Sequence, residues 1–144
     1  MSLEEIRENN IRLVTNTALD CFIKKGINKT TLSEIAAASG LTERSIYRYY
    51  KSKEDLIIAS TFCYWERVQS YMSEELRKHN FTELSGIEQI SIILKSYSNM
   101  LLVDPEGIRF SLDAEVALYQ VGKNNHVVNR PPERFETYSG PLSR

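Results

Sequence analysis

The chain has 144 residues, 18 of them basic and 19 acidic, for a net charge of −1. That balance excludes diffuse polyanion binding by the whole surface but leaves room for a local basic face. No stretch approaches the about 18 unbroken apolar residues of a membrane span, the polar start "MSLEEIRENN" is no secretory signal, and the two cysteines and two histidines lack metal-cluster spacing; a cytoplasmic protein with no cofactor, metal or membrane partner is expected.

The first predicted helix runs from about Leu3 to Lys25. Val14, Ala18, Cys21 and Phe22 recur at helical spacing on one face, with Cys21 read as a small buried thiol. Lys24 and Lys25 suit the negative helix end, and Gly26 stops it. The second helix opens at "TTLSEIAAAS", where Thr31 and Glu34 have capping-box spacing. Leu32, Ile35 and Ala36 form its inner stripe, and Gly40 permits a sharp turn. A third, short helix follows Thr42 as N-cap and spans Glu43 to about Tyr49.

Ser52 is the expected N-cap of a fourth helix reaching to about Lys78. Its apolar residues wrap widely, from Leu56 and Ile57 through Phe62, Cys63 and Trp65 to Met72 and Leu76, as befits the centre of a bundle. The fifth helix runs from about Gly86 to Val103. In "DPEG", Asp104 reads as N-cap and Pro105 as the first turn of a sixth helix ending near Gln120. "VGKNNHVVNRPP" reads as a loop, and "PERFETYSGPLSR" as the start of a further helix that Gly140 and Pro141 would interrupt. No alternating strand pattern of useful length occurs, so the fold class is all-α. The expected division is a helix-turn-helix domain at 1–52 and a partial helical ligand-binding and dimerisation domain at 53–144.

Four basic residues and three tyrosines crowd the thirteen positions from Leu41 to Lys53. Two short helices joined by "ASGLT" make a helix-turn-helix, whose second helix enters the major groove while the first crosses the backbone. At about 100° per residue, Ile46 and Tyr50 point back into the protein. Arg44, Ser45 and Arg48 point outward, and Tyr47 and Tyr49 flank them. Arg can bond guanine O6 and N7 bidentately, and Ser and Tyr hydroxyls can bond phosphates or base edges. Lys53 can add a phosphate contact, and Thr30 and Thr31, at the start of the second helix, are candidate phosphate anchors.

The stretch "TTLSEIAAASGLTERSIYRYYKSKEDL" resembles the DNA-binding signature of TetR-family transcriptional regulators. The resemblance rests on Thr30-Thr31, Ile35-Ala36, Gly40-Leu41-Thr42, Ile46-Tyr47, Tyr50, and Ser52-Lys53-Glu54 with Leu56, and "ALDCFIKKG" is similar to the family's first helix. It covers about Asn10 to Leu56. It implies that Thr31, Tyr47 and Lys53 grip phosphates and that Arg44, Ser45, Arg48 and Tyr49 face the bases. Arg44 stands where this family often has a small residue such as Gly.

The resemblance further implies a dimer on an inverted-repeat DNA operator, a ligand-responsive repressor, and an effector pocket in the helical second part. Candidate pocket residues are Trp65, Tyr71, Tyr97, Met100, Phe110 and Tyr119, which suit an apolar or aromatic small molecule of unknown identity. The two long helices that usually form the family's dimer interface do not follow. A truncated or altered product, or pairing by another surface, is therefore expected, with an exposed apolar patch around Ile92, Ile93, Leu102 and Val103. A helical protein–protein interaction module without DNA binding is the alternative. No Ser/His/Asp set, paired-carboxylate constellation or phosphate loop stands out, so no enzyme is expected.

Overall fold

The structure, a computed structural model, describes residues 1–125. Within them the chain forms α1 (Leu3–Lys25), α2 (Leu32–Ser39), α3 (Glu43–Tyr49), α4 (Lys53–Arg77), α5 (Gly86–Val103) and α6 (Pro105–Asn125), with a single 3₁₀ turn at Phe81–Glu83. The boundaries follow from local chemistry. Ser2, Thr31 and Ser85 each accept from the amide of the glutamate three residues on, and that glutamate bonds back to the cap amide, so two orphan donors are satisfied at once. Thr42 and Ser52 cap α3 and α4 through their side chains. Gly40 ends α2 in the left-handed region, φ 70°, where a Cβ would be strained.

The core is one contiguous cluster. Val14, Ala18, Leu19 and Phe22 of α1, Ile35 and Ala36 of α2, and Ile46 of α3 meet Leu56, Ile57, Tyr64 and Val68 of α4, then Met100 of α5 and Phe110 and Ala114 of α6. α4 packs on α1, α5 and α6, so the element that leaves the helix-turn-helix is also the spine of the later helices. An aromatic nucleus marks the junction. Phe22 and Phe110 stack with ring centroids 6.1 Å apart, and Tyr64 meets Phe110 edge-on at 5.9 Å.

Polar ties sit around this nucleus. Arg67 of α4 donates to Asp20 and Asn16 of α1 at 3.1 and 3.0 Å, and the Cys63 thiol donates to the same Asn16 oxygen. Arg109 of α6 donates to the Ile23 carbonyl in the last turn of α1, a favourable place for a cation. Burial pushes the thiols of Cys21 and Cys63 up, which keeps both protonated near neutral pH.

Two expectations change. α6 continues through Val121–Asn125, which were read as loop; Gly122 carries helical backbone, because glycine weakens a helix without obliging it to stop. The rest of that stretch and the tail helix lie outside the described residues. The exposed apolar patch does not follow the four residues expected. Leu102 and Val103 are exposed, but Ile92 and Ile93 are half-buried, and the open apolar surface of α5 runs along a different line.

Candidate nucleic-acid interface

Helix α3 is seated by its back and presents its front. Ile46 is fully buried, and the Tyr50 hydroxyl meets Thr15 Oγ1 of α1 at 2.5 Å, while Thr15 itself donates to the Ile11 carbonyl. Arg44 and Arg48 are exposed on the far side, and Tyr47 beside them is 53 % exposed. Ser45 is half-buried at the centre of a small hydrogen-bonded set. Its Oγ accepts from Thr42 Oγ1 at 3.0 Å and from Arg48 Nη2 at 3.2 Å, so the Ser45 proton points away from both donors. The Arg48 guanidinium is thereby held over the first turn of α3 and keeps its remaining donors for an outside acceptor.

Tyr49 was expected in the base-facing set. It is instead half-buried against the core, and its hydroxyl accepts a 3.2 Å hydrogen bond from Asn10 Nδ2 of α1. The phenol lies around the helix from Arg48 and is turned to the protein. Asn10 and Thr15 thus hold two adjacent tyrosines, Tyr49 and Tyr50, and fix the last turn of α3 on α1. Neither partner is visible from α3's own sequence.

The four phosphate candidates divide similarly. Thr31 is exposed at the N-cap of α2, with Oγ1 accepting from the Glu34 amide and its own proton free. Tyr47 is exposed and Lys53 half-buried at the start of α4. Thr30 is a correction. It is fully buried, and its hydroxyl donates to the Gly26 and Cys21 carbonyls at 2.8 and 3.2 Å, which satisfies the loop between α1 and α2 and leaves nothing for a phosphate. The α2 N-terminus is also not a bare anion site. The Glu34 carboxylate accepts from the Thr31 amide and pairs with Lys25; those bonds, the one from Lys25 foremost, hold its pKa below the usual carboxylate value. Exposed Lys29 and Lys51, next to Thr31 and Lys53 in sequence, add charge that the motif reading did not use.

The six pocket candidates do not converge. Met100 and Phe110 are core residues, and Tyr71 is packed against the core. Trp65 and Tyr97 are partly exposed, and Tyr119 is 71 % exposed on α6. A surface groove of about 440 Å³ lies elsewhere, lined by the loop after α1 and by Arg109, Asp113 and Val116 of α6. Helical spacing told which residues were aromatic and apolar-facing, but not which would be consumed by the core.

Comparison with known proteins gives the same region. Residues 14–59 match the family described as bacterial regulatory proteins, tetR family. Over 90 residues, 62 % of this chain, it is 27 % identical to an uncharacterised HTH-type transcriptional regulator, YuxN, of Bacillus subtilis (strain 168), covering 30 % of that protein. Over 61 residues, 42 % of this chain, it is 36 % identical to the HTH-type transcriptional regulator AcrR of Shigella flexneri, covering 26 % of that protein. The chain thus spans less than a third of the length of these relatives. The matched residues take in the seated α3, the capped α2 and the start of α4, so it is the helix-turn-helix at residues 14–59 that is similar to the tetR family of bacterial regulatory proteins.

Proposed function

We propose that this chain is a sequence-specific DNA-binding regulator of transcription that acts as a dimer on a two-fold operator and represses in response to a small effector. The observation that carries the reading is the outward face of α3: Arg44 and Arg48 are open to solvent, with half-buried Ser45 between them, on a helix whose other side is buried through Ile46.

In this reading α3 enters the major groove. Arg48, held over its turn by Ser45, makes the bidentate contact to a guanine. Arg44 and Ser45 read neighbouring base edges, and Thr31, Tyr47 and Lys53 grip the flanking phosphates and set the register. Tyr49 acts from behind by keeping the last turn of α3 on α1. Two copies place their α3 helices about 34–36 Å apart, one turn of the duplex. A single copy gives up the avidity of linked binding, a factor that can reach ~10² to 10⁴. An effector would act through α4, which touches both the reading head and the later helices. A ligand that prefers one angle of α4 changes the separation of the two heads, and only its differential affinity for the two arrangements drives that shift. Trp65, Tyr97 and Tyr119 carry the accessible aromatic surface for an apolar effector.

Selection of bound duplexes from a random-sequence pool tests the reading. Enrichment of an inverted repeat with half-sites one helical turn apart is expected. Recovery of DNA with no common sequence would contradict it.

A further inference from the structure

The groove of about 440 Å³ lies where α6 passes the end of α1. Among the described residues its walls contain nothing of α3 and none of the six aromatic and methionine pocket candidates. Its charge is lopsided. Lys25, Lys29 and Arg109 share it with a single carboxylate, Asp113, on a chain whose net charge is −1. Lys25 is paired with Glu34, whereas among the described residues Lys29 and Arg109 form no ion pair. Arg109 is also set in place. Its Nη2 donates to the Ile23 carbonyl at 3.1 Å, which leaves the other donors of the guanidinium for a second acceptor. Arg109, Asp113, Val116 and Ala117 recur at helical spacing, so α6 offers charge and an apolar wall on one face. Val116 is 60 % exposed and supplies most of that wall.

The C-terminal end of a helix ordinarily repels an anion. At α1 that repulsion is already answered by donors of the chain itself. Arg109 takes the Ile23 carbonyl, Thr30 takes those of Cys21 and Gly26, and the Gly26 amide takes that of Phe22. We infer that the groove binds a small organic anion, a carboxylate with a compact apolar body. The carboxylate sits on Arg109 and Lys29, and the body lies on Val116 and Ala117. The volume falls within the ~300–1,000 Å³ of small-molecule sites. An inorganic anion would leave the apolar wall unused, and a neutral apolar molecule would leave both cations unpaired. This site is separate from the aromatic surface of Trp65, Tyr97 and Tyr119, and it does not depend on the reading of α3.

Titration of the full chain with benzoate at constant ionic strength, without DNA, tests it by amide chemical shifts. Saturable shifts are expected at Gly26, Lys29 and Val116, with benzamide giving none and inorganic phosphate binding more weakly. Arg109→Gln keeps a donor for the Ile23 carbonyl and removes the charge, and is expected to weaken benzoate by about two- to fivefold. Arg109→Lys is expected to restore part of the loss. Asp113→Asn leaves the Ile23 bond alone and removes the one repelling charge, so it is expected to tighten benzoate by a similar factor, and it keeps the test intact if Arg109→Gln disturbs α6. Shifts that never saturate, phosphate binding as tightly as benzoate, or an affinity indifferent to Asp113→Asn would each overturn the proposal; the second would mark the groove as a counterion site only. A groove that binds benzoate on a chain that selects no DNA sequence would stand, while the reading of α3 would fail.

Discussion

Thr30 and Thr31 are adjacent, carry the same hydroxyl, and do opposite things. Thr31 stands in solvent at the cap of α2, while Thr30 is turned inward onto two carbonyls of the α1–α2 connection. Thr30→Val keeps the shape and removes the donor, so a stability loss of about 1 kcal/mol in urea unfolding is expected. The salt dependence of DNA binding should not move. A shallower salt slope in this variant would mean that Thr30 does reach a phosphate. Tyr64 offers a second single-residue test. Burial, with the nearby Asp104 charge adding to it, pushes its phenol up to about 12, from an ordinary value near 10. Between those values the folded chain holds a proton that the unfolded chain has released. The stability from this group is thus complete below pH about 10 and is lost as pH rises toward about 12. Thermal melts of Tyr64→Phe against wild type across that window should show a shallower alkaline decline in the variant; identical declines would remove Tyr64 from the account.

At the scale of elements, most of the fold was legible because its punctuation is local. Thr31 with Glu34, Gly40, Thr42 and Ser52 each act within about one helical turn of their own position, and each falls where the sequence placed it. What was not legible depends on residues far along the chain. Tyr49 is claimed by Asn10, 39 positions away, and Thr30 by Cys21, nine positions away. Periodicity gave α5 and α6 apolar faces but not the division of their aromatics between core and surface, so the pocket set dispersed. The start of α6 shows how a tertiary neighbour overrides propensity. Gly107 is helical and buried, and alanine in a helix is ordinarily the better residue by about 1 kcal/mol. Here a Cβ would overlap the Asp104 carboxylate and lie 2.6 Å from the Tyr64 ring. Gly107→Ala is therefore expected to destabilise by about 1–3 kcal/mol, the range for overpacking. A higher melting temperature in calorimetry would show that α6 starts in a roomier site than described.

At the scale of the molecule, α1 and α4 link two tasks. α1 holds α3 through Asn10 and Thr15 near its middle, and α6 through Phe22 and Ile23 near its end. α4 begins just after α3 in the chain and continues between α1, α5 and α6. Among the described residues no helix is long and apolar enough to cross a membrane. The basic surface at α3 sits on a chain of net charge −1, so in the proposed function the attraction to DNA is local to that face and not a property of the whole surface.

The most direct test of that claim is a titration of the selected duplex and a scrambled one with wild type, Arg48→Ala and Lys53→Ala, repeated across a range of salt. Arg48→Ala is expected to cost about 1–3 kcal/mol on the selected duplex and little on the scrambled one. Lys53→Ala is expected to weaken both and to lower the salt slope by about 1. Equal losses for both variants on both duplexes would contradict the assignment of α3 as the reading helix.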